Sequence, residues 1–92
     1  MAEKNIVVLA RRDHGEGMRV AAGLTIADNR VRLVLMTGPV EETAELVSHA
    51  ELLELSEIMP ETTVTEMASE LTLLDADALA AAIIESDLTV NL

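Results

Sequence analysis

Two short polar stretches hold the residue types that could do chemistry. One is Arg11, Arg12, Asp13, His14 and Gly15, with Gly17 shortly after; the other is Thr37 and Gly38. Two guanidiniums, an imidazole and glycine-flanked amides at the start of a helix are the ingredients of an anion site. Arginine offers a planar fork of donors, and a helix start offers unpaired N–H groups. Arg11, Arg12, His14, Gly15, Thr37 and Gly38 are therefore the candidate ligand-binding set, provided that the two stretches meet on one rim. The amides of Gly15 and Gly17 would join them there. The His-Gly-Glu-Gly spacing matches neither the phosphate loop nor the dinucleotide fingerprint, whose third glycine is missing. The competing reading is an ordinary loop whose arginines pair with nearby acids. His14 is a general base, a pH-sensitive contact or a structural hydrogen-bonding residue. His49, inside a helical stretch with Glu45 four residues back, reads as an exposed or ion-paired helix residue.

The remaining chemistry is excluded by residue type. The sequence of 92 residues contains no cysteine, so disulfides, thiolate metal sites and thiol nucleophiles are ruled out. Glu41, Glu42, Glu45 and the set Glu51, Glu54 and Glu57 lack a calcium-loop pattern and read as a solvated face, so no metal is expected. No G-x-S-x-G elbow surrounds Ser48, Ser56, Ser69 or Ser86. Neither a catalytic residue nor a cofactor is expected.

Charge is segregated along the chain. All six basic residues fall in residues 1–32, which net +2, whereas residues 33–92 carry thirteen acids and no Lys or Arg. The total of −11 should repel phosphate backbones, and the absence of Phe, Tyr and Trp removes stacking platforms, so nucleic acid is not an expected partner. The acidic excess is either a solvated surface or one half of a complementary contact with the basic stretch of a neighbouring subunit. The apolar runs at residues 6–10 and 78–84 are too short to cross a bilayer, and no small-residue cleavage site follows the first. A cytoplasmic protein with no membrane partner is expected.

Alternating elements must position the two polar stretches. Residues 6–10 (IVVLA) read as a strand buried on both faces. Asp13 reads as an N-cap, with Glu16 completing a capping box, and a helix follows over residues 15–28. Gly23 would let that helix lie close to a sheet, and Asp28-Asn29 would end it, Asn being tolerant of a left-handed position. Residues 31–36 are the second strand, and residues 41–55 a helix turning Ala44, Val47, Ala50, Leu46 and Leu53 inward, stopped before Pro60. Residues 62–67 read as a third strand, and 71–74 as either an extended segment or a helical turn. Asp75 caps a third helix over residues 76–86 with Leu79, Ala82 and Ile83 on one stripe, and residues 88–92 form a last strand. This order predicts a single α/β domain over residues 1–92, with a mostly parallel sheet of four or five strands and helices on both faces. Such a small sheet leaves edges and apolar helix faces that a monomer covers poorly, so self-association is expected.

Residues 4–42 (KNIVVLARRDHGEGMRVAAGLTIADNRVRLVLMTGPVEE) resemble the opening of the DsrE/DsrF/DsrH family: a strand, a polar loop, a helix carrying AAGL, a V-x-L-V-L-M strand and a G-P-x-E turn. The ending DALAAAIIESDLTV is similar to that family's tail. The resemblance implies a YchN-like α/β fold, trimers or hexamers, and sulfur relay or sulfur oxidation through a cysteine persulfide. Sulfur-carrying members place their cysteine in a loop that corresponds to residues 66–74 (EMASELTLL), where this chain has none. The resemblance therefore implies a cysteine-free, non-catalytic subunit whose partners are copies of itself or related DsrE-like subunits. The alternative is a small-ligand or anion-binding module using the loop after the first strand.

Overall fold

An unbroken aliphatic run cannot keep one face wet. In the computed structural model Asn5–Ala10 forms the strand β1, buried from Ile6 onward. The structure describes residues 4–26, 29–38, 44–69 and 71–92, with only the backbone of residues 44–46. Four further strands join β1: β2 (Arg30–Leu35), β3 (Glu61–Thr62), β4 (Thr72–Leu73) and β5 (Leu88–Asn91). All pairs are parallel and the order is β4-β3-β2-β1-β5, so the expected α/β class is the observed one. The helices are α1 (His14–Thr25), α2 (Ala44–Leu55) and α3 (Ala76–Glu85).

Strand alternation assigns the layers. Ile6, Val8 and Ala10 of β1, with Leu33 and Leu35 of β2, pack on Met18, Ala21 and Ala22 of α1 and on Leu53 and Ile58 at the end of α2. Val7, Leu9 and Val34 point the other way, where they meet Leu74 and the half-buried Leu79 of α3. Helices thus lie on both faces, two on one and one on the other.

The local signals worked unevenly. Asp13 does cap α1, its carboxylate accepting the Glu16 N–H at 3.0 Å. Glu16 does not complete a capping box. Its carboxylate instead takes the Arg19 guanidinium one turn on, with Nε at 3.1 Å, and this hydrogen bond holds the Glu16 pKa below its ordinary value. Asn29 closes the far end through its side chain, Nδ2–H donating to the Leu24 carbonyl at 2.9 Å; Asp28 lies outside the described residues. Gly23 is exposed and a methyl group there would meet nothing within 4 Å, so it does not serve close packing. That role belongs to Gly17, which lies against β1.

Of the residues expected inward on α2 whose side chains are described, only Leu53 is buried. Val47 is 51% exposed and Ala50 is exposed, while the side chains of Ala44 and Leu46 lie outside the described residues. The helix ends before Pro60 by a left-handed cap. Glu57 has φ 60°, its N–H donates to the Glu54 carbonyl, and the Ile58 N–H reaches back to the Leu53 carbonyl at 3.0 Å. The cap returns Ile58 to the core beside Leu53.

The strand expected over residues 62–67 is cut short. The Thr62 hydroxyl donates to the Leu35 carbonyl at 2.8 Å and accepts the Val64 N–H at 2.9 Å, which turns the chain out of the sheet, and Thr65–Met67 is a single 3₁₀ turn. The extended reading of residues 71–74 is the correct one, since Thr72–Leu73 pairs with β3. Asp75 caps α3, accepting the Ala78 N–H at 2.7 Å, and Ala82 is buried while Ile83 stands at the margin, 36% exposed.

Candidate functional site

In open parallel sheets ligands bind beyond the carboxyl ends of the strands, where neighbouring strands lead to helices on opposite faces. Here β1 lies between β2, joined to it through α1, and β5, which follows α3, and the first polar loop leaves from the carboxyl end of β1 between them. Arg11 and Arg12 emerge there. Both backbone N–H groups donate to the Leu92 backbone oxygen, at 3.0 and 2.8 Å, and both residues are exposed. The loop is thereby tied to β5 while its guanidiniums remain in solvent.

The second polar stretch meets the first, as expected from neighbouring parallel strands. The Met36 N–H continues the ladder to the Ala10 carbonyl at 3.0 Å, which sets Thr37 beside Arg11. The Thr37 hydroxyl lies 2.7 Å from the Arg11 carbonyl and 2.6 Å from its neighbour's, at Met36, so its one proton is held between two acceptors. Thr37 has φ 76°, an unusual conformation for a β-branched residue that the surrounding hydrogen bonds must over-determine. Gly38 follows it and is half-buried. His14, also half-buried, donates Nε2–H to the Met36 carbonyl at 2.7 Å. A carbonyl can only accept, so the Nε2 proton is required and Nδ1 is the remaining position for a second contact.

Arg11, His14 and Thr37 therefore converge, with Arg12 and Gly38 adjacent in the chain. The imidazole and the hydroxyl are used to lock the two loops together. The unspent polar groups are the guanidiniums. Gly17 departs from the expected set, because its N–H is bonded to the Asp13 carbonyl at 3.0 Å inside the helix. Gly15 contributes through its carbonyl, which accepts Nδ1–H of His49 at 3.0 Å. That contact makes His49 a half-buried link between α1 and α2, where the sequence suggested an exposed residue or a partner of Glu45, whose side chain lies outside the described residues. Only the distant pairing of the helices could reveal it.

Elsewhere Arg19 pairs with Glu16 within α1. Arg32 forms a two-pronged pair with Glu61 across β2 and β3, both contacts at 2.8 Å. Among the described residues no three His, Asp or Glu side chains converge as metal ligands, and no helix is long and apolar enough to cross a membrane. Comparison with protein-family models, with curated proteins and with solved structures finds no match for this chain.

Proposed function

We propose that the chain is a non-catalytic subunit of the DsrE/DsrF/DsrH kind, acting in sulfur relay or sulfur oxidation by association with copies of itself or with related subunits. The observation that supports association is α3. Its sequence, ADALAAAIIE, is apolar on nearly every side, yet only Ala82 is buried and Ile84 is 82% exposed. A helix apolar all round is ordinarily enclosed by protein. Without a thiol the subunit cannot itself hold persulfide sulfur, so its part is to shape or position a partner that does.

The test is solution mass by light scattering in moderate salt at tens of micromolar, where even modest interfaces are populated. The wild type is expected as a trimer or larger, alone or on mixing with a DsrE-like subunit. Ile84→Glu, which places a charge in the apolar face, is expected to return it to monomer with an unchanged circular-dichroism spectrum. A wild type that stays monomeric alone and with such subunits ends the proposal.

A second reading is favoured by the exposed guanidiniums at the carboxyl end of β1 beside the strained Thr37: an anion-binding module using Arg11, Arg12, His14, Gly15, Thr37 and Gly38. Phosphate or a nucleotide is then expected to raise the melting temperature of the wild type. Arg11→Gln with Arg12→Gln should abolish that rise without changing the melting temperature in plain buffer. Equal responses from both proteins would dispose of it.

A further inference from the structure

We infer that the groove between α2 and the residues Ile58, Pro60, Met67 and Leu71 is a binding site for a small apolar molecule bearing a cationic head. The groove has a volume of about 390 Å³, within the usual range for small-ligand sites, and Met18, Leu35, Leu53, Ile58, Met67 and Leu71 form its walls.

The polar part of the lining specifies charge. Glu51 and Glu54, three residues apart on α2, line the same groove and are both exposed. Neither meets a cation among the described residues, and residues 33–92 contain no Lys or Arg to supply one. The groove also lies along the carboxyl half of α2, whose last turn holds no basic residue to offset the two carboxylates. An apolar slot with two unneutralised carboxylates at a helix C-terminus favours an alkylammonium and rejects a carboxylate of equal length.

The probes are octylammonium, octanoate and octanol, each below its micellar concentration and followed through the protein's methyl NMR signals. Octylammonium is expected to shift the Met18, Met67 and Leu71 methyls saturably, with octanoate at least tenfold weaker. Glu51→Gln with Glu54→Gln should weaken octylammonium about five- to tenfold and leave octanol unchanged, since each exposed charge contributes a modest factor. Ala50→Leu, on an exposed lining position, should fill the groove and remove binding of all three. Equal affinity for octanoate, saturable shifts confined to the exposed Ile84 instead, or full binding by Ala50→Leu would each overturn the assignment.

Discussion

Leu53→Ala is expected to destabilise the protein by about 2–4 kcal/mol, as removal of a fully buried leucine leaves a cavity lined by neighbours that cannot all collapse. Leu53 is 2% exposed and is the one buried side chain described on α2. Beyond it the helix is held by the His49 contact to Gly15 and by the cap that returns Ile58 to the core. Against a total of about 5–15 kcal/mol for a domain of this kind, the loss is a large fraction. A shift of roughly 4–8 °C per kcal/mol converts it to a melting-temperature drop of about 8–32 °C, read by circular dichroism. A drop of under a few degrees would mean that α2 is not anchored through this side chain.

Two glycines of α1 should respond to alanine with opposite signs. At Gly17 a Cβ would stand 2.5 Å from the Cβ of Ala10, and Ala10 sits in β1, which has strands on both sides. The strand cannot retreat, so the helix must lift, at a cost of about 1–3 kcal/mol. At Gly23 nothing lies within 4 Å, and alanine should stabilise by about 0.5–1 kcal/mol through its better helix propensity. Urea denaturation of the two variants checks both signs at once. Stabilisation by Gly17→Ala would show that the helix and strand are farther apart than the structure places them.

These two glycines mark how far the sequence could be read. Gly23 sits among small residues in the middle of the helix pattern and invited a packing role; Gly17 sits beside the polar loop and invited a ligand role. Both are helical glycines, and helical periodicity says which face a residue occupies but not how near the opposite element comes. The same limit explains α2. Its leucines and alanines satisfy a helical spacing, but among its described side chains the helix reaches the core only near its end, so Val47 and Ala50 open onto a groove instead of a core.

What the sequence determined by itself follows from local rules of short range. The apolar run of residues 6–10 dictated a central parallel strand, and Asp13 and Asp75 dictated two helix starts, because an N-cap is decided within three residues. Placement of Arg11 and Thr37 on one rim also followed, since parallel neighbours present their carboxyl ends together. Tertiary structure alone decided the end of β3, where the Thr62 hydroxyl competes for backbone partners in β2, and the use of His49 and Glu16. It alone decided which apolar residues were left outside. Burial depends on what stands across the gap, and in 92 residues the sheet and three helices do not supply enough surface to cover Val47, Ile84 and Leu55.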